Sequence, residues 1–223
     1  MFKNVVDMTQ TLDNDMYIWP GDKISPDAFQ KIQCVAEGDD YEASVIHCST
    51  HTGTHMDCNS HTNWNDGNVY FCETKDPAFF IGRAKVVDCR GKIIEGDQVE
   101  IGMDVMDGVD LEGVDFLFFY MDWAKKWGTK EFWLRYPIFT KELAQYLADL
   151  PDVRGVGLET PGCDPTETGD LSIHKTYLSK DKTIFECLTN MDKVMDRDFT
   201  FIGLPLKIKG SEGSPIRAVA VLD

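Results

Sequence analysis

Positive charge is scarce in this chain. Its 223 residues carry 22 Lys and Arg against 38 Asp and Glu, a formal charge of −16. Binding a nucleic-acid backbone or an anionic membrane takes clustered Lys and Arg, so neither is expected as the main partner. The acidic balance leaves enzymes open, because a bound cation can reverse the local field. Long apolar runs are missing as well. No stretch of about 18 apolar residues occurs, so no membrane-spanning helix is expected. The opening "MFKNVVDMTQTLDNDM" has neither the apolar core nor the cleavage signature of a secretory leader. Cysteines number seven, an odd count, with no CxxC spacing. That pattern reads as reduced thiols in a cytoplasmic protein rather than a disulfide framework. Three familiar catalytic or phosphate-binding signatures, GxSxG, HExxH and GxxxxGK[ST], are absent. Histidine is rare too, with five in all. Four of those five fall between positions 47 and 61.

The apolar content, 43%, is enough for a core. The length fits one domain spanning 1–223. Strand-like runs, rich in β-branched and aromatic residues and bounded by Gly, Asp or Pro, lie at 43–48, 82–89, 114–123, 153–160, 199–208 and 216–222. The spacing of Phe139, Leu143, Tyr146, Leu147 and Leu150 predicts a helix over 140–150, with Thr140 as its cap. Shorter helices are expected at 101–106 and 187–195, and "KGSEGSP" (209–215) reads as a hairpin turn between strands. The expected class is α/β, a mixed domain with several sheet layers and few helices.

The histidines sit in "HCSTHTGTHMDCNSH" (47–61). Taken as an extended segment, 51–61 puts His51, Gly53, His55, Asp57, Asn59 and His61 on one face. A straight strand would hold the Cα atoms of His51 and His55 roughly 13 Å apart, too far for one ion, so a bend or bulge is expected near Gly53. Two imidazoles and a carboxylate are a recurrent ligand set for catalytic Zn²⁺, Mn²⁺ or Fe²⁺. The alternative is a polar loop with its imidazoles bonded to the backbone. His47 lies in a strand-like run and reads as a core histidine. Cys58, on the even face, reads as a buried, inert thiol, with a Cys–His nucleophile as the alternative.

"HTGTHMDCNSH" resembles the HxGTHxDxPxH signature of the cyclase-like metal hydrolases, a family that includes bacterial kynurenine formamidases and isatin hydrolases. "YIWPGD" (17–22), "LETPGCD" (158–164), "LSIHKTYLSKDKTIFECLTNMDKV" (171–194) and "FIGLPLKIKGSEGSPIRAVAV" (201–221) resemble further elements of that family, in its order. The resemblance implies a compact, swivelling β/β/α fold, assembled as a homodimer or homotetramer. It implies metal-dependent hydrolysis of an amide, with an aryl formamide or a cyclic amide as substrate; the alternative is a non-catalytic metal- or ligand-binding relative. By motif position His51, His55 and Asp57 would bind a first Zn²⁺ or Mn²⁺. His174 and Glu186 would complete a second site. His61 would transfer protons, and Trp19 would face the substrate. His174 is also the one histidine outside the cluster, and so the natural distant imidazole.

Three positions depart from the family pattern. Asn59 replaces its proline and removes a fixed φ. Thr62 stands where an aromatic is common, and Glu159 where Asp is. None is an expected ligand, so the departures bear on substrate more than on chemistry.

Overall fold

The apolar runs pair into one nine-stranded sheet with a parallel centre. The computed structural model describes residues 4–18, 28–63, 67, 69–96, 98–166 and 169–222. Ile81–Asp88, Phe116–Tyr120, Gly155–Leu158 and Thr183–Glu186 lie side by side and parallel. Antiparallel strands extend both edges. Phe199–Ile202, Val219–Leu222 and Val5–Asp7 continue from Ile81–Asp88. His55–Asp57 and then Gly213–Pro215 continue from Thr183–Glu186. Two small sheets stand apart, one of two strands and one of three.

Strands covered on both faces read as unbroken apolar runs. "FLFFY" is one, and all five residues are buried. Alternation sends Leu117 and Phe119 into one core, and Phe116, Phe118 and Tyr120 into the other. Helix α1 (Lys141–Asp149) covers the first core with Leu143, Ala144, Leu147 and Ala148. The Thr140 hydroxyl caps it, accepting from the Leu143 amide at 3.2 Å, as the sequence predicts. Helix α2 (Ser172–Leu178) adds Ile173, Tyr177 and Leu178 to the same core. Burial of each large apolar side chain contributes about 1.5–3 kcal/mol. The second core holds Phe116, Phe118, Phe185 and Phe201 edge to face, with centroids 4.7–5.6 Å apart.

Several expectations need correction. The run 199–208 is a strand only to Ile202. Gly203 and Pro205 follow, and Pro205 keeps a single bridge to Ile216. Within 209–215, Gly213–Pro215 is itself an edge strand on His55–Asp57. The helices expected at 101–106 and 187–195 shrink to 3-10 turns at Met103–Met106 and Met191–Lys193. His47 is exposed, not a core residue, because its strand ends at Ile46 and belongs to the small two-stranded sheet.

Glu159 closes the strand Gly155–Leu158 as a buried carboxyl. It accepts from the amides of Met121 at 2.7 Å and Trp123 at 3.1 Å, clamping the turn where Asp122 takes φ 60. Burial outweighs those bonds and lifts its pKa from 4.5 to about 7. Folding therefore favours the protonated form. That contribution is complete below pH 4.5 and is lost as the pH rises through 7. Glu159→Gln keeps an acceptor and removes the charge. The variant should match the parent at pH 4.5 and exceed it by about 3 kcal/mol at pH 8, read by denaturant unfolding across pH. A difference that stays constant with pH would contradict this reading.

Candidate metal centre

Strand alternation builds half of the site. His55 and Asp57 share one face of their strand, and Glu186 and Ile184 lie directly opposite them. Ile184 belongs to the core that α1 and α2 cover, so these donors look toward the helices.

His51 arrives by a bend. Only His55–Asp57 of the segment 51–61 is a strand. Gly53 takes φ +66, the bend expected from the reach of a straight strand. The chain folds back there, and His51 Nδ1 comes to 2.8 Å from Asp57 Oδ1. The Gly53 carbonyl accepts from His55 Nδ1 at 2.9 Å. His55 Nε2 then faces the carboxylates, 3.4 Å from Asp57 Oδ1 and 3.3 Å from Glu186 Oε2. The 3-10 turn Asn59–His61 sets the His61 ring 4.2 Å from that of His51 and 5.9 Å from that of His174.

His174 comes from α2. Its Nε2 lies 3.1 Å from Glu186 Oε1 and 3.5 Å from Asp57 Oδ2. Asp164 holds the ring from behind, accepting from Nδ1 at 2.6 Å. The same carboxylate accepts from the amides of Ile173 and His174 at 2.8 Å, and so caps α2 from ten residues upstream. Sequence reasoning assigned no role to Asp164, because the cap is not local. It also passed over Glu212, 3.3 Å from His51 Nε2, and Trp133, which lines the site cavity. No sequence signal singles out Trp133, since "EFWL" reads as ordinary core. Trp19 lies outside the described residues.

The electrostatics follow from burial against carboxylates. Burial pulls the His51 imidazole down, but Asp57 and then Glu212 more than offset it and hold it up to about 9. The hydrogen bond to His51 takes Glu212 down to about 2. His55 and His174 are likewise raised against their burial, by Asp57 and Glu186 and by Cys163, Asp164 and Asp57 respectively. His61 differs, because burial dominates and lowers it below 6.5. Binding a cation to these imidazoles would displace protons from them.

The donors fit a cation. Both Asp57 oxygens are buried and neither receives a well-directed hydrogen bond, although three imidazoles surround them. Both oxygens therefore face the shared space as acceptors open to a cation. Donor atoms of His55, Asp57 and Glu186 lie within 4.8 Å of one another, and those of His51 and Asp57 do so with His61 beside them, near enough to exchange a proton with a water held there. Imidazole nitrogen and carboxylate oxygen suit a divalent first-row ion. All seven expected site residues except Trp19 thus meet in one cavity of about 260 Å³.

A mixed sheet with few helices, and imidazoles and carboxylates converging at the sheet's edge, define the class of metal-dependent hydrolases. The Cyclase family model matches residues 6–165, and the chain belongs to that family. It is 31% identical to the kynurenine formamidase of Geobacillus thermodenitrificans and 28% identical to that of Bacillus anthracis. Each match covers 96% of this chain and 95% of the relative. Among solved structures, isatin hydrolase A from Ralstonia solanacearum superposes with a TM-score of 0.80 at 26% identity. That match covers 99% of this chain and 92% of the other.

Proposed function

We propose that this protein hydrolyses the carbonyl–nitrogen bond of an aryl amide, an N-formyl arylamine such as N-formylkynurenine. A divalent cation, Zn²⁺ or Mn²⁺, would be held as one or two ions by His51, His55, Asp57, His174 and Glu186. The observation that carries this reading is the cavity itself. Its imidazoles and carboxylates share one space with Trp133, Pro161 and Leu171, which suit a flat aromatic group. The kynurenine formamidases among the relatives support the formamide.

A divalent cation held by these residues would supply Lewis acidity, the chemistry that makes water nucleophilic near neutral pH and polarises a carbonyl. The chain's own residues do the rest. Asp164 and the Gly53 carbonyl each hold an imidazole by Nδ1 and keep its Nε2 toward the site. His61, outside the proposed ligand set, accepts a proton from the attacking water and returns it to the leaving nitrogen. Its lowered pKa keeps it neutral, and so a base, at neutral pH. By motif position Trp19 would supply an aromatic wall for the substrate.

His61→Gln should lower kcat for N-formyl arylamines by about 10²–10⁴ with metal content unchanged. The parent's kcat/KM should fall on the acid side only below pH 6.5, since protonation of His61 removes the base. Full activity in His61→Gln with metal bound would overturn the assignment. The likeness to isatin hydrolase A supports a second reading, a cyclic aryl amide. Faster turnover of isatin than of any aryl formamide in the same panel would favour it.

The proposal extends to a cytoplasmic homodimer or homotetramer. Seven free cysteines suit a reducing compartment. Ile32, Val35, Tyr41 and Ile46, exposed on and beside the small hairpin, suit cover by another subunit. No helix among the described residues is long and apolar enough to cross a membrane.

A further inference from the structure

Behind the strand that carries Asp57, three sulfur atoms converge. Alternation puts Met56 and Cys58 on the face opposite Asp57, in the second core. Cys72 joins them there. Cys58 and Cys72 donate their amides to adjacent carbonyls, Glu212 and Ser211, which brings the two backbones together. The Cys58 and Cys72 Sγ atoms are 3.3 Å apart, and they lie 4.0 and 3.9 Å from Met56 Sδ. All three side chains are buried. The point equidistant from the three sulfurs lies roughly 2.2 Å from each, about the length of a metal–sulfur bond.

We propose that Met56, Cys58 and Cys72 form a binding site for a soft monovalent cation, Cu⁺. Two thiols and a thioether are a soft ligand set, which selects Cu⁺ over ions that prefer oxygen and nitrogen. Three converging sulfurs make a trigonal site, whereas structural Zn²⁺ takes four ligands. Cys72 also lines a small cavity of about 90 Å³ together with Glu73 and Phe80. Binding is balanced by protons: one Cu⁺ enters, two thiols become thiolates, and two protons leave. The protein would then sort two cations to opposite faces of one extended segment, His55 to Cys58, the harder at His55 and Asp57 and the softer at Met56 and Cys58.

The test uses the full chain holding its divalent ion, without oxygen. Cu⁺ is titrated against a chromophoric Cu⁺ chelator, and the bound copper is examined by X-ray absorption. One Cu⁺ per chain is expected, with three sulfur neighbours at about 2.2–2.3 Å. Met56→Leu should weaken binding at least tenfold, and Cys58→Ser or Cys72→Ser at least a hundredfold. Nitrogen or oxygen neighbours in the absorption spectrum would overturn the proposal. So would a chelator that strips the protein completely, or a copper-free product two hydrogens lighter with Cys58 bonded to Cys72. Because the spectrum reads the parent protein, a variant that fails to fold does not shield the proposal.

Discussion

Asp57→Asn should lower kcat/KM for the aryl formamide by at least about 10³, a loss of several kcal/mol at roughly 1.4 kcal/mol per tenfold. Asp57 is the hub of the cluster. Its oxygens lie within 3.5 Å of His51, His55 and His174, and no donor is directed at them as a hydrogen bond. An amide of the same shape removes the charge while leaving strand His55–Asp57 paired on both sides. The change also presents an NH₂ group to imidazoles that must themselves accept a cation. Metal-induced stabilisation should disappear in parallel. The parent should gain about 4 kcal/mol with metal a thousandfold above its Kd, and Asp57→Asn should gain almost nothing. Calorimetry with and without Mn²⁺ reads this directly. An equal gain in both proteins would move the metal away from Asp57.

Gly53→Val should be the most damaging change that touches no donor atom. Gly53 holds φ +66, where a β-branched residue is strained by about 1–3 kcal/mol. A Cβ there would also lie 2.1 Å from Leu12 Cδ2, so Leu12 must move. Two of the proposed ligands depend on this residue. The bend carries His51 back to Asp57, and the carbonyl fixes the His55 ring through Nδ1. Displacing reacting groups by about 1 Å can cost about 10² in rate. Gly53→Val is therefore expected to fold, to melt several degrees lower, and to lose about 10²-fold or more in kcat/KM with a weakened metal affinity. Gly53→Ala should fall between the two, since Ala tolerates the left-handed region better than Val. Parental activity in Gly53→Val would show that the bend does not set the ligand geometry.

What could be read from the sequence follows the range of the forces involved. His55 and Asp57 were legible because strand alternation is local. The bend at Gly53 was legible because a straight strand cannot bring His51 to the same ion. Helix α1 announced itself through Thr140 and an apolar stripe. Helix α2 did not, because its cap is the Asp164 carboxylate from a distant loop rather than a neighbouring Ser or Thr. Glu212 was hidden for a related reason. Its segment reads as a hairpin turn, yet Gly213–Pro215 pairs with His55–Asp57 and brings Glu212 to His51. Trp133 reads as one more buried aromatic, and long-range contacts place it at the cavity: packing with Phe132 against Cys187, and an indole N–H donated to the Tyr17 carbonyl at 3.1 Å. Local pattern located one half of the site, the family resemblance supplied His174 and Glu186, and long-range pairing positions their supports.

The most direct measurement is hydrolysis of an N-formyl arylamine by protein stripped with a chelator and then reloaded. The stripped protein should be inactive, and activity should return with one or two equivalents of Mn²⁺ or Zn²⁺ in the parent but not in Asp57→Asn. Full turnover by the stripped protein, or recovery in Asp57→Asn equal to the parent's, would contradict a metal centre built on His51, His55, Asp57, His174 and Glu186.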